Sequence, residues 1–160
     1  MAYWILKTLY IFRYDRPLHK GGGVCVFVKR TLEVLNIDIV GNDNNARIET
    51  EIVCIDIITS KCKYHIITSY LPPGCIMDCI EYNNVIIADL ELLFVLLGDL
   101  NRADVKWMNT TSPRHGVSNI TLDCFISQGC EQFIRTPTRL INILDVFLTV
   151  SNSNRLAEDR

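Results

Sequence analysis

The run Leu97-Gly98-Asp99-Leu100-Asn101 sets a carboxylate and a carboxamide two residues apart, directly after the apolar stretch Phe94-Val95-Leu96-Leu97. A carboxylate so placed orients or deprotonates a water, or holds a hard cation such as Mg²⁺, which takes oxygen ligands and keeps several waters of its own. The asparagine has amide hydrogens to donate to phosphoryl oxygens. The pair therefore suits hydrolysis of a phosphate ester. Gly, Asp and Asn are also what tight turns use for backbone reasons, so taken alone the motif is more often merely a turn.

The pair needs a rigid strand behind it, and the apolar pattern supplies several. The triple glycine Gly21-Gly22-Gly23 leads into a short β-prone run over 24–28, ended by Lys29-Arg30. Between Glu51 and Ile57 the residues Val53, Ile55 and Ile57 alternate with Ile52, Cys54 and Asp56, and 64–70 is again β-branched and aromatic. The stretch 60–63 joins these two as a hairpin, and Pro72-Pro73-Gly74 ends the second, since proline has no amide donor for a ladder. Residues 94–97 read as a fully buried strand stopping at Gly98, with Asp99 and Asn101 at its tip. Two last strands are expected over 131–134 and 143–149. One helix is expected between Ile76 and Leu92. A second, capped by Ser118 or Asn119 and stopped by Gly129, carries Leu122, Phe125 and Ile126 at helical spacing. Many strands and two helices predict an α+β fold, a layered β-sandwich flanked by helices.

Length and composition bound the function. A chain of 160 residues, 49% hydrophobic and 21% charged, predicts one globular domain over 1–150 with a polar tail over 151–160. The net charge of -2 argues against a general nucleic-acid coat, so any phosphate site is local. Lys7, Arg13, Arg16, Lys20, Lys29 and Arg30 are nevertheless opposed only by Asp15 in the opening stretch. Seven cysteines with no C-x-x-C pair read as free thiols in a reducing compartment. The opening 2–12 lacks the features of a signal peptide, and the most apolar run, 85–97, is too short to span a bilayer. No membrane association is expected.

The order of the remaining motifs is more specific than any one of them. Arg13-Tyr14-Asp15-Arg16 is followed by Gly21-Gly22-Gly23-Val24, by Glu51 opening a strand, and by Tyr70-Leu71-Pro72-Pro73. Then come the Gly-Asp-x-Asn, Trp107, Pro137-Thr138-Arg139 and Leu144-Asp145. From about Tyr10 to Thr149 this set resembles the endonuclease domain of non-LTR (LINE-type) retrotransposons, a branch of the endonuclease/exonuclease/phosphatase family with the DNase I-like fold. Gly-Asp-x-Asn is common to that whole superfamily; the Arg-x-Asp-Arg, Gly-Gly-Gly-Val and Pro-Thr-Arg segments point to the retroelement branch.

The resemblance implies roles. Asp99 positions or activates the attacking water and, with Asn101, holds Mg²⁺ or Mn²⁺ beside the scissile phosphate. Tyr70 donates its hydroxyl to the phosphate, and Asp145 matches the aspartate that fixes a catalytic histidine. Arg16 and Arg139 are the implied DNA contacts. The implied partners are DNA and, in a complete element, a reverse transcriptase domain, and the implied location is intracellular, in the nucleus. Glu51 is expected to orient part of the site.

The chain also departs from the family. No acidic residue precedes Asp15, where the family places its metal-binding glutamate, and no histidine follows His115, where the family ends in Ser-Asp-His. His115, like His19 and His65, reads as an exposed loop residue. The expectation is therefore a domain truncated at both ends, with weakened metal binding, little or no activity, and sheet edges left uncovered. Two other readings use the same scaffold. One is a catalytically dead nucleic-acid-binding remnant using Arg13, Arg16, Arg139 and the glycine-rich turn; the other is a phosphatase of a small phosphorylated molecule.

Overall fold

A computed structural model describes residues 8–15, 22–40, 50–74, 93–103, 105, 107, 123, 125 and 129–150. Within them eight strands form two sheets. Strands β1 (Leu9–Tyr14) and β2 (Val24–Lys29) make an antiparallel ribbon. The others are β3 (Glu33–Val40), β4 (Glu51–Ile58), β5 (Lys63–Tyr70), β6 (Leu93–Asp99), β7 (Cys130–Gln132) and β8 (Asp145–Val150). They form a six-stranded mixed sheet in the order β3-β4-β5-β6-β8-β7, in which only β5 and β6 run parallel. A parallel pair needs a long crossover, and residues 71–92 lie between these two strands.

The strand pattern explains the layers. β4 is buried along nearly its whole length because both its faces are covered. Its Ile52 and Cys54 join Ile67, Leu71, Phe94, Leu96, Leu100, Trp107, Phe125, Val146 and Leu148 in one core. Its Val53, Ile55 and Ile57 face the other way and pack with Val24 and Val28 of the ribbon. Each fully buried Ile, Leu or Val contributes about 1.5–3 kcal/mol of transfer free energy, so both faces hold β4 in register. Beyond the ribbon the second face is open: Leu97, Phe147 and Phe133 remain exposed there, with the two phenyl rings 5.5 Å apart.

The strands foreseen over 24–28, 51–57, 64–70, 94–97, 131–134 and 143–149 are all present, with ends moved by up to two residues, but 94–97 is not fully buried, because Val95 and Leu97 lie on the face that the ribbon leaves uncovered. Two further strands lie where the apolar pattern did not announce them. The opening apolar stretch contains β1, pairing with β2 from Leu9–Lys29 to Tyr14–Val24. The stretch 33–40 contains β3, an edge strand whose Ile37 and Ile39 stay about half exposed on one face. The helix expected over 76–92 lies outside the described residues. Of the second, only Asp123 and Phe125 are described, both with helical backbone.

Candidate active site

β6 does not stop at Gly98 as the sequence suggested; it runs on to Asp99. Gly98 is what allows this. A Cβ at that position would lie 1.8 Å from the carbonyl oxygen of Ser69 on the parallel neighbour, far inside any real contact. Glycine lets β5 and β6 close up at that point, and Asp99 follows as the register partner of Tyr70.

The tip of β6 is bonded on both sides. The Leu71 N–H donates to the Asp99 carbonyl at 2.9 Å, and the Leu100 N–H donates to the Leu144 carbonyl at 3.0 Å. The Asp99 carboxylate accepts the Asn101 N–H at 3.0 Å, closing a tight turn. Asn101 itself sits at φ 48°, a left-handed conformation that asparagine tolerates better than most side chains. Its amide nitrogen donates one hydrogen to the Leu71 carbonyl at 2.9 Å, so part of the capacity expected for a phosphate holds the turn instead. Arg102, the next residue, is buried.

The register draws the expected residues into one row. Glu51 pairs with Tyr70, Tyr70 with Asp99, and Asp99 with Asp145, across β4, β5, β6 and β8. Residues directly opposite in a ladder share a face, so these four side chains start from the same side of the sheet. The Leu100–Leu144 bond just beyond makes Asp99 and Asp145 a non-hydrogen-bonded pair, the closer kind, with Cα atoms about 4.5 Å apart. Two aspartates so opposed repel one another across the strands. A divalent cation relieves that repulsion, and carboxylate and carboxamide oxygens are the ligands Mg²⁺ prefers. The donor set of Asp99, Asn101 and Asp145 therefore fits a hard cation, although no cluster of three His, Cys, Asp or Glu occurs among the described residues.

Two hydrogen-bonded contacts that shape the site have no counterpart in the sequence pattern. The hydroxyl of Thr138 accepts the N–H groups of both Leu144 and Asp145, at 3.0 and 3.1 Å, and so fixes the start of β8 beside β6. Only its place inside Pro137-Thr138-Arg139 marked it in the sequence. Gly23 donates its N–H to the carboxylate of Glu51, which is buried to 1% exposure. Arg139 opens a turn closed on Asn142 by backbone bonds of 3.0 and 3.1 Å, and it is exposed near Asp145 in sequence but outside the row. Arg16, His19 and His115 lie outside the described residues.

His65 departs from the expectation of an exposed loop. It is not an exposed loop residue but part of β5, 7% exposed, with Nδ1 2.5 Å from the Asp56 carboxylate. The other carboxylate oxygen of Asp56 accepts from the Asn36 amide at 2.7 Å. This trio lies five residues along β4 from Glu51 and on the opposite face, so it belongs to the core and not to the site.

The fold is DNase I-like, as the solved structures that superpose on it show. No family model matches the chain, and no curated protein matches its sequence. Solved structures do match. The human Nocturnin catalytic domain with bound sulfate superposes with a TM-score of 0.61 at 12% identity, over 91% of this chain and 62% of that one. A humanized D. rerio TDP2 gives a TM-score of 0.58 at 11% identity, with the same coverage of each chain. The endonuclease domain of TRAS1, a telomere-specific non-LTR retrotransposon, gives 0.50 at 14% identity, over 88% of this chain and 65% of that one. The chain thus spans about three fifths of the length of these three structures, and at these identities the likeness is one of fold.

Proposed function

We propose that these residues form part of a Mg²⁺- or Mn²⁺-dependent phosphodiesterase domain that nicks DNA, of the kind found in non-LTR retrotransposons, working in the nucleus beside a reverse transcriptase domain. The observation that carries this reading is the alignment of Tyr70, Asp99 and Asp145 in one row, with Asn101 folded against its centre. Residues up to 75 positions apart in the chain are brought together by register alone, on the fold of known nucleases. A TDP2 of the same fold has been solved with a single-stranded DNA product, which favours DNA as the substrate class.

In this reading Asp99 orients the attacking water and takes its proton, and Asn101 donates its second amide hydrogen to a phosphoryl oxygen. The Tyr70 hydroxyl donates to another, and Arg16 and Arg139 meet flanking phosphates. A bound divalent cation supplies neutralisation of the charge that builds on the phosphate oxygens. Asp99 and Asn101 would hold it, joined by Asp145, to which the family resemblance instead gives the orienting of a histidine but which the register sets directly opposite Asp99. With no acid before Asp15 and no histidine after His115, the 160 residues by themselves hold the cation weakly and nick slowly.

Plasmid nicking tests this. Supercoiled DNA with Mg²⁺ is converted slowly to the open circle by the wild-type chain, and both EDTA and Asp99→Ala abolish the conversion. Nicking that survives Asp99→Ala contradicts the assignment. Folded protein that binds plasmid without nicking it supports the dead nucleic-acid-binding reading instead.

A further inference from the structure

Glu51 is among the most deeply buried polar residues described, at 1% exposure, and a buried carboxylate persists only where hydrogen bonds compensate its lost hydration. One such bond comes from the Gly23 N–H, 28 residues earlier and on the turn that feeds the ribbon. That turn is also fixed from the other side. Gly23 has φ +97°, and a Cβ there would stand 3.1 Å from the Tyr14 carbonyl of β1. The same Glu51 is the cross-strand partner of Tyr70, whose ring packs on the apolar cluster shared with Val24 and Val28. One acid thus touches the two-stranded ribbon and heads the row that leads through Tyr70 to Asp99 and Asp145.

We propose that Glu51 is a positioning residue. Its carboxylate ties the glycine turn of the ribbon to the end of β5, and so fixes where Tyr70 stands relative to Asp99. It acts through Tyr70 and meets no substrate itself. A carboxylate suits the task because hydrogen bonds to an ionised acceptor are roughly twice as strong as neutral ones. The kinetic consequence rests on the phosphodiesterase reading; the structural one does not.

The test uses the full chain with Glu51→Ala, Glu51→Gln and, as a control for loss of a buried acid on the opposite face, Asp56→Asn. Amide hydrogen exchange is followed at Gly23, at Leu71, whose N–H bonds Asp99, and at Ile55 in the middle of β4. Glu51→Ala speeds exchange at Gly23 and Leu71 roughly tenfold or more beyond any change at Ile55, as loss of a bond to a charged group requires. Glu51→Gln, which keeps an acceptor, does so less, and Asp56→Asn shows no such selectivity. A Leu71 amide that exchanges no faster than Ile55 allows in Glu51→Ala overturns the proposal. In the nicking assay Glu51→Gln lowers kcat about tenfold and leaves KM for plasmid unchanged; a fall matched by the unfolded fraction alone overturns the positioning role. If the wild-type chain does not nick, the phosphodiesterase reading has failed, and the exchange data still decide Glu51.

Discussion

Gly98→Ala tests whether the site row depends on the close approach of β5 and β6. The added Cβ would stand 1.8 Å from the Ser69 oxygen, 2.8 Å from its carbonyl carbon and 3.0 Å from its nitrogen. All three are backbone atoms of a central strand, so no side chain can swing aside. Relief needs a displacement of more than an ångström between two strands that carry buried Leu96 and Ile67 just above. Forcing one extra carbon into a close-packed interior costs about 1–3 kcal/mol, and a clash with backbone belongs at or above the top of that range. For a domain of this size each 1 kcal/mol lowers Tm by about 2–4 °C, so Gly98→Ala should melt roughly 10 °C lower by circular dichroism. Gly74→Ala is the control. Nothing lies within 4 Å of its Cβ position, and only the positive φ of +83° opposes the change, at about 1–2 kcal/mol. If Gly98→Ala melts within a degree of wild type, or if Gly74→Ala is equally damaging, the steric account of the β5–β6 junction is wrong.

Other outcomes follow from the same structure. Thr138→Val removes the acceptor shared by the Leu144 and Asp145 N–H groups; it should lower urea stability by about 1 kcal/mol, and Thr138→Ser should restore most of it. His65→Phe leaves the buried Asp56 oxygen without its imidazole partner, a loss of about 1–3 kcal/mol in urea unfolding that a further Asp56→Leu change reduces. Burial, aided by Asp38 and Asp56, pushes the Cys54 thiol up to about 12, and burial lifts Cys130 to about 11, both from 9.0. Above pH 9 the unfolded chain therefore binds fewer protons than the native one, so stability is full below pH 9 and falls as pH rises toward 11–12. Urea unfolding at pH 8 and pH 10.5 should show this fall, and Cys54→Val should flatten it.

How far the sequence announced the fold depends on which residues carry a periodic signal. β4, β5 and β6 were legible because their β-branched runs are long and bounded by glycine, proline or polar turns. β1 was hidden by its position: an apolar stretch near Met1 invites comparison with a leader peptide, and its pairing with β2 is a tertiary fact. β3 was hidden by composition. Asn36 and Asp38 alternate with Ile37 and Ile39 as an edge strand requires, but that polar half breaks the apolar run by which the other strands are recognised. His65 was misread for a related reason, since a histidine's partner, here Asp56 on the neighbouring strand, is fixed by register and not by local sequence.

The site was legible through resemblance more than through spacing. Asp99 and Asn101 stood out as a pair, but nothing local to Tyr70 or Asp145 says that they flank Asp99. Register does that, and it is set by the hairpin at 59–62 and by the Thr138 clamp on β8. Glu51 could be suspected of orienting the site, but its bond to Gly23 spans two sheets and leaves no trace in the sequence around either residue.

The central claim is that Asp99 and Asp145, opposed across β6 and β8, form the cation-binding end of a phosphate site. Thermal melting with and without 10-fold steps of Mg²⁺ or Mn²⁺, in wild type, Asp99→Asn and Asp145→Asn, tests it most directly. Without cation each Asn variant should melt about 1–3 °C above wild type, because one half of a repelling pair is neutral. Added cation should raise the wild-type Tm in a concentration-dependent way and leave Asp99→Asn nearly unmoved. Variants that melt no higher than wild type without cation, or that respond to cation as wild type does, contradict the claim.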